Sequence, residues 1–146
     1  MEITVRRITH EDKDEWFKMR KGIWPDAPDE YMTFDQDDIL ANENAVVFFA
    51  YADGSLAGMI EASIKDYAEG CETSPVGYLE AWYVYEQFRG QGVAKALTDT
   101  AENWIREKGC TEVASDTWLE NLASIRAHEK SGYYEAERLV HFVKQL

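Results

Sequence analysis

The chain has 146 residues, of which 45% are apolar, 13% aromatic and 29% charged, with 28 acids against 15 bases. The aromatic content excludes a disordered chain. A membrane-spanning helix needs about 20 consecutive apolar residues, and every apolar run in this chain is much shorter. The net charge of −13 argues against binding to nucleic acid or to an anionic membrane surface, because both attract basic proteins.

Length, cysteines and the first residues predict one cytoplasmic domain over residues 1–146. A chain of this length folds as one domain with its own core. Its start lacks the apolar segment of a secretory signal. Cys71 and Cys110 are too isolated for a disulfide framework or a paired metal motif, so we expect reduced thiols and no metal.

The first half of the chain predicts a strand, two helices and a β-hairpin. Residues 2–8 form the strand, and Thr9 is the N-cap of a helix that Pro25 and Pro28 end. The helical spacing picks out an inner face: Trp16, Phe17, Met19, Arg20 and Ile23. A second, acidic helix over about 29–42 is expected to turn four side chains inward: Tyr31, Phe34, Ile39 and Leu40. Asp53 and Gly54 then form the turn between strands 45–51 and 56–64.

The second half predicts three strands and two helices. After a loop at 66–75, residues 76–85 form a strand with so little polarity that we expect it at the centre of the sheet. A helix opens near Val93 and ends at Gly109. It is followed by a strand at 110–115, a helix at 122–130 and a last strand at 133–143. This order predicts one α/β sheet domain rather than two lobes.

Acidic residues are concentrated in one stretch of the chain. Residues 22–88 hold fourteen acids and a single base, Lys65. Charge alone fits solubility as well as it fits function. The functional interpretation is a negative field that attracts a polycation.

The strongest local motif is the glycine loop Arg89-Gly90-Gln91-Gly92-Val93-Ala94, between a strand and a helix. Glycines let a backbone bend tightly and expose successive N–H groups, which with a helix N-terminus bind a pyrophosphate. The loop lacks the Gly-Lys-Ser/Thr of a Walker motif and the three glycines of a dinucleotide fingerprint. Without further context, the loop is better explained as a turn that merely starts a helix.

The surroundings of this loop resemble the GNAT acetyltransferase superfamily. Arg89, Gly92 and Ala94 follow a strand that ends in 82–84, and Asn121 and Gly132 recur downstream in the expected order. The resemblance covers the whole chain. It implies a single GNAT-like α/β (α+β) domain, with a mixed, mostly antiparallel central sheet and about four flanking helices.

A closer resemblance, to the aminoglycoside 6′-N-acetyltransferases, lies in separated motifs: Ala62-Ser63-Ile64, Thr73-Ser74-Pro75-Val76, Leu79-Glu80, Gly92-Val93-Ala94, Ala114-Ser115-Asp116-Thr117 and Glu137-Arg138. Trp24-Pro25 fits as well. The resemblance implies a homodimer that transfers acetyl from acetyl-CoA to the 6′-amine of aminoglycosides in a ternary complex, conferring resistance. Two alternatives stay open: a GNAT enzyme for a polyamine or protein amine, and a non-catalytic CoA-binding module.

The resemblance assigns acetyl-CoA to the strand and loop around the glycine motif. It implies main-chain contacts to the pantetheine arm along 82–84, N–H donors to the pyrophosphate at 89–94, and a contact from Asn121. Asn121 also suits the N-cap of the helix 122–130. The expected cofactor-binding residues are Trp82, Tyr83, Val84, Arg89, Gly90, Gln91, Gly92, Val93, Ala94 and Asn121.

Two acids are the candidate catalytic residues, Glu80 and Asp116. Glu80 interrupts an apolar strand and should face a polar cleft or a charged ligand, and Asp116 follows a strand end, where α/β sheets bind ligands. Either could bind the substrate amine or act as general base. The structural alternatives are a salt bridge from Glu80 to an arginine and a turn cap at Asp116.

Further substrate contacts are implied by resemblance alone, at Trp24, Tyr67 and Glu137, the last reaching a neighbouring subunit's cleft. Many GNAT enzymes have a tyrosine general acid seven residues after the asparagine, and this chain has His128 there. Histidine can donate a proton, but a surface helix position is an equal alternative, so the general acid is left unassigned.

Overall fold

The computed structural model describes all residues, 1–146, and consists of five strands and four α-helices. The elements in chain order are β1 (Ile3–Arg7), α1 (Lys13–Ile23), α2 (Asp29–Ala41), β2 (Ala45–Ala52), β3 (Ser55–Lys65), β4 (Val76–Val84), α3 (Val93–Glu107), β5 (Val113–Ser115) and α4 (Leu122–Lys130). Short 3₁₀ turns precede α1 and follow β4. None of the helices is both long and apolar enough to cross a membrane.

The strands form one mixed sheet in the order β1-β2-β3-β4-β5. The first four pair antiparallel, and β5 pairs parallel to β4. Both faces of the sheet are covered. Along β2, Val46 and Phe48 pack under α3, whereas Val47 and Phe49 pack under α1, because successive strand residues point to opposite faces. The expected fold class, mixed and mostly antiparallel, is confirmed.

The first helical region begins at Thr9, the N-cap that the sequence predicts. The Thr9 hydroxyl accepts from the backbone N–H of Glu11, and the Asp12 carboxylate accepts from the N–H of Thr9. This reciprocal capping box satisfies donors that a helix leaves free. The Arg6 guanidinium holds the pKa of the Asp12 carboxyl at about 2.

The expected inner face of α2 is half correct, since Ile39 and Leu40 pack against the core beside α1 but the other two side chains do not. Tyr31 and Phe34 are 59% and 70% exposed, while Met32 and Gln36, one turn apart, are buried. Gln36 donates to the Lys13 carbonyl oxygen (3.1 Å). The helix therefore turns a partly polar face to α1, which counting apolar residues does not reveal.

The last predicted strand, 133–143, is also wrong, because residues 131–146 form neither helix nor strand. A strand requires a partner, and the sheet ends at β5. The tail keeps its apolar side chains exposed, among them Val140, Phe142 and Val143. The strand predicted at 110–115 is only Val113–Ser115, since the Cys110 N–H still bonds the Ile105 carbonyl in the closing turn of α3.

Candidate active site

Strands β4 and β5 separate half-way along β4. Their pairing ends at Leu79 and Ser115, while β4 continues to Val84. Residues 80–84 therefore have no partner strand on this side. Unpaired main-chain groups at such an edge can hydrogen-bond an extended ligand, as an added strand would.

The glycine loop at the end of this open edge is a cradle for an anion. Gly90 and Gly92 adopt φ of 75° and 90°, and Gly92 is the N-cap of α3. The backbone N–H groups of residues 90–95 donate to no acceptor in the protein. Arg89 Nε bonds the Val84 carbonyl oxygen (2.9 Å) and fixes the loop to β4. Six free donors at a helix N-terminus suit a pyrophosphate.

Trp82 and His128 meet beside the gap between β4 and β5. Their rings are T-shaped with centroids 5.2 Å apart, and the buried Trp82 Nε1 has no hydrogen-bond partner. Tyr83 and Val84 are half-buried on the same strand. Asn121 caps α4 by accepting from the Ser124 N–H (3.1 Å), as its structural alternative requires.

His128 is half-buried rather than on the surface of α4. Its Nδ1 lies 2.7 Å from the Ser124 carbonyl oxygen, which can only accept, so Nδ1 carries the proton. In neutral His128, Nε2 then has no proton and can only accept, and the single proton of the Ser115 hydroxyl lies between Nε2 at 2.8 Å and the Leu79 carbonyl oxygen at 3.2 Å. This arrangement orients Ser115 at the end of the β4–β5 pairing, and neutral imidazole has no second proton to donate.

A cleft of about 860 Å³ lies between α1–α2, the last residues of β3 and the middle of β4 at Glu80. Its acidic lining residues are Asp26, Asp35, Asp38, Glu61 and Glu80, and its basic ones are Arg20 and Lys65. Clefts lined by one sign of charge concentrate ligands of the other. The acidic stretch of the sequence thus contributes to a concave surface suited to a polycation.

Glu80 lies on a β-bulge at the rim of this cleft. Glu61 and Ala62 of β3 pair with Ala81 and Leu79, so Glu80 is the extra residue of β4. Its Oε1 accepts from the Ser63 hydroxyl at 2.6 Å and lies 3.2 Å from Lys65 Nζ. The structural alternative for Glu80 was a salt bridge to an arginine, and its partner in the structure is a lysine. Oε2 accepts nothing from the protein and is available to a ligand.

Asp116 follows β5 and accepts a short hydrogen bond from the Tyr78 hydroxyl. Burial, together with this hydrogen bond, raises the pKa of Tyr78, which stays protonated and acts as the donor. Asp116 is exposed, is held in place by Tyr78 and does not line the cleft. Tyr78 and Glu80 lie two residues apart in β4, so both acids belong to the region where the sheet opens.

A buried ion cluster supports the floor of the cleft. Arg20 and Glu61 are 4% and 3% exposed and pair at 2.9 Å, and Trp16 Nε1 donates to Glu61 (2.8 Å). The same guanidinium donates to Asp35 at 2.5 Å and lies 5.3 Å from the ring centroid of Trp24. Burial raises the pKa of Glu61, and the charge of Arg20 opposes that rise.

The remaining expected substrate residues are dispersed. Trp24 is half-buried and lines the cleft. Tyr67 is 67% exposed on the loop after β3. Glu137 lies in the tail and makes no hydrogen bond or ion pair. Its neighbour Ala136 lies so close to Gly70 that a Cβ added at Gly70 would be 2.6 Å from the Ala136 Cβ. Tyr67 and Glu137 do not line the cleft.

Sequence reasoning missed four residues of the site: Arg20, Glu61, Lys65 and Tyr78. Arg20 occupies an inner position of α1, and Glu61 interrupts an apolar strand as Glu80 does. Lys65 is conspicuous as the one base between 22 and 88. These signals were visible, whereas the Tyr78–Asp116 bond depends on the pairing of β4 with β5.

Comparison with known proteins agrees with this geometry. Residues 6–133 match the Acetyltransferase (GNAT) family. An aminoglycoside N(6')-acetyltransferase type 1 of Stenotrophomonas maltophilia is 42% identical, covering 95% of this chain and 91% of the relative. One of Salmonella typhimurium is 39% identical, covering 97% and 98%.

Solved structures extend the match to the fold. AAC(6')-Iy in complex with the bisubstrate analog CoA-S-monomethyl-acetylneamine is 37% identical, covers 100% of both chains and has a TM-score of 0.92. The same enzyme in complex with CoA also has a TM-score of 0.92, covering 99% of this chain and 96% of that one. The chain therefore belongs to the GNAT acetyltransferases and, among them, to the aminoglycoside N(6')-acetyltransferases of type 1.

Proposed function

We propose that the chain transfers the acetyl group of acetyl-CoA to the 6′-amine of aminoglycoside antibiotics, by direct attack while both substrates are bound. One observation supports this proposal: the acidic cleft meets the open strand edge at Glu80, and that edge leads to the anion cradle. Residues 1–146 act as one N-acetyltransferase domain. We place it in the cytoplasm, where acetyl-CoA is made, and acetylation there confers resistance.

The free edge 80–84 and the N–H groups of 90–95 hold the acetyl donor. These residues fit it, since the edge offers main-chain partners to an amide-bearing arm and the cradle offers donors to a pyrophosphate. Acetyl-CoA supplies an activated acyl group. Alignment of two bound reactants can lower a barrier by about 7–11 kcal/mol.

The acidic residues of the chain bind and deprotonate the amine. As the nitrogen bonds to the acyl carbon and the carbon–sulfur bond breaks, the nitrogen loses one proton and the departing CoA thiolate takes one up. Because an alkylammonium titrates well above neutrality and has no lone pair, a further proton must leave the nitrogen before it attacks. Glu80, with Oε2 free at the cleft, is placed to take that proton directly or through water. Asp116, fixed by Tyr78, and Trp24 bind other parts of the substrate.

Parallel assays test the function. Thiol release from acetyl-CoA is measured with kanamycin, spermidine and a lysine peptide. We expect kanamycin to give the highest kcat/KM and a product acetylated at the 6′-nitrogen by mass spectrometry and NMR. Faster reaction with spermidine or the peptide would favour another GNAT amine substrate, and acetyl-CoA binding without turnover of any amine would favour a binding module.

Removal of charge at Glu80 tests the base. Glu80→Gln keeps the shape, and we expect kcat/KM for kanamycin to fall about ten- to a hundredfold, because hydrogen bonds to charged groups contribute about 1.5–3 kcal/mol. The pH profile of kcat should shift to the alkaline side, since the substrate ammonium must then lose its proton without a protein base. Affinity for acetyl-CoA should not change.

Two variants accompany this experiment. Asp116→Asn should weaken kanamycin binding without the alkaline shift. Glu107→Gln, an exposed acid on α3 outside the cleft, removes the same charge and should behave like the parent. An acetyl-CoA defect in Glu80→Gln with normal kanamycin kinetics would contradict the assignment.

We further propose a homodimer in which the C-terminal tail covers the partner. The tail exposes Leu139, Val140, Phe142 and Val143, with Phe142 90% exposed, and the outer edge of β5 has no neighbour. Uncovered edges and apolar patches of this kind promote association. Glu137, which has no partner within its own chain, would then reach the partner's cleft.

Light scattering at micromolar concentration checks the dimer. The parent should be a dimer and Phe142→Asp a monomer, because a carboxylate buried without a partner is costly. Phe34→Asp, at an apolar residue 70% exposed on α2, is the control and should stay dimeric. A monomeric parent would refute the proposal.

A further inference from the structure

Lys65 places a positive charge inside a cleft built to attract cations. It is the single base between residues 22 and 88, and it lines the cleft at the end of β3. Its Nζ lies 3.2 Å from Glu80 Oε1 and 4.1 Å from the centroid of the Tyr78 ring. The side chains of Lys65 and Glu80 are 43% and 36% exposed, so solvent screens this pair and can reach both groups.

The end of a lysine side chain is chemically a copy of the group that the enzyme acetylates. Lysine ends in a methylene and an ammonium, and the 6′-position of an amino sugar carries the same aminomethyl group. A carboxylate and an aromatic face are a recognition set for such an alkylammonium. In the free protein Lys65 therefore makes the contacts that a substrate ammonium would need.

We propose that Lys65 is a resident cation, whose ammonium occupies the subsite formed by Glu80 and Tyr78 until the substrate ammonium displaces it. The identity of that substrate rests on the proposed function. Displacement needs little energy because the pair is half-exposed.

The displacement makes Lys65 a determinant of specificity. A monoamine that replaces Lys65 exchanges one ammonium for another and gains little. A polycation brings further ammonium groups for the other acids of the cleft, such as Asp26 and Asp38. Lys65 thereby favours substrates with several positive charges over simple amines.

Calorimetric titration with kanamycin tests the competition. Lys65→Met keeps the stem without the charge and should lower the Kd for kanamycin about three- to tenfold, the amount that a half-exposed ion pair and a cation–π contact account for. Lys65→Arg should stay within about twofold of the parent. Lys18→Met, which breaks an ion pair with Glu15 on the exposed face of α1, is the control for net charge. An unchanged or weaker affinity in Lys65→Met would overturn the proposal.

A small probe separates an occupied subsite from a general change of charge. Lys65→Ala leaves room for n-butylammonium, which should bind this variant in calorimetry and compete with kanamycin. It should not bind the parent or Lys18→Ala, and neutral butanol should bind none of them. Equal binding of butylammonium to parent and variant, or binding to neither, would refute the resident cation.

These outcomes are distinguishable from a failure of the proposed function. Butylammonium binding requires no turnover, so it reports on the subsite even if the natural acceptor is a different amine. A parent that acetylates no aminoglycoside refutes the function and leaves this test intact. Melting temperatures of the Lys65 variants should match the parent, because the residue is exposed.

Discussion

Replacing Gly92 by aspartate is expected to lower the affinity for acetyl-CoA at least a hundredfold. Gly92 precedes α3 with φ of 90°, in the middle of the N–H groups that have no acceptor. A carboxylate there would accept those donors and repel a pyrophosphate, and like charges in contact cost several kcal/mol. Each 1.4 kcal/mol corresponds to about a tenfold change in affinity.

Gly109→Asp is a matched control for this variant. Gly109 has φ of 88° at the other end of the same helix, and neither glycine would bring a Cβ closer than 3.7 Å to its surroundings. The backbone strain is thus similar in the two variants. A carboxylate also opposes the helix dipole at the C-terminus and suits it at the N-terminus, so the control is the harsher change for folding.

Calorimetric titration with acetyl-CoA, with melting temperatures measured in parallel, decides the outcome. We expect Gly109→Asp to bind normally despite a lower melting temperature, and Gly92→Asp to fold and fail to bind. Parent-like binding by Gly92→Asp would mean that the donor site lies elsewhere. Equal loss in both variants would assign the effect to folding.

Elements with strong local signals could be predicted from the sequence. Helix α3 has a continuous apolar face, with Leu97, Ala101 and Ile105 fully buried, and its ends are marked by Gly92 and Gly109. The long strand β4 was recognisable because almost all its residues are apolar. In these cases local propensity and tertiary packing favour the same structure.

Elements whose structure depends on a partner could not be predicted. Helix α2 has apolar residues on several sides, and contacts with α1, through Met32 and Gln36, decide which face is buried. The tail has a strand-like alternation, yet no neighbouring strand remains within its own chain. The spacing of apolar residues shows that a segment is compatible with a helix or strand, whereas its tertiary contacts determine whether that element forms.

The same limit applies to the site. The rule that an acid in an apolar strand needs a polar partner selected Glu80, but it applies more strongly to Glu61, which is 3% exposed. The sequence does not contain the distance that pairs Glu61 with Arg20, 41 positions away. Glu80 differs because a bulge moves it to the rim of the cleft, and bulges depend on register between strands.

Replacing Arg20 by methionine is expected to lower the free energy of unfolding by about 3–5 kcal/mol at neutral pH. The change leaves the Glu61 carboxylate buried without its counter-ion, and loss of one partner of a buried pair has this magnitude. Asp35 loses its hydrogen bond as well. Arg6→Met, which breaks the half-exposed pair with Asp12, is the control and should cost about 2 kcal/mol or less, because solvent screens this pair.

The pH dependence of this loss identifies its cause. Burial holds the pKa of Glu61 above its ordinary value of 4.5, so the native state binds this proton more tightly than the unfolded chain does. A carboxyl with a raised pKa stabilises the native state below the unfolded value, and that contribution is lost as the pH rises through the native value. Methionine at position 20 removes the charge that opposes the rise, so the deficit should be small below pH 4.5 and grow above it.

Urea unfolding of Arg20→Met, Glu61→Gln and the double variant, from acid to neutral pH, tests the argument. The double variant should recover more than half of the loss in Arg20→Met, because no buried charge remains and the glutamine amide oxygen can still accept from Trp16. Additive losses at all pH values would show that the two side chains act independently. A loss in Arg20→Met as small as that in Arg6→Met would mean that water reaches Glu61, and the floor of the cleft would then be wet rather than sealed by this ion pair.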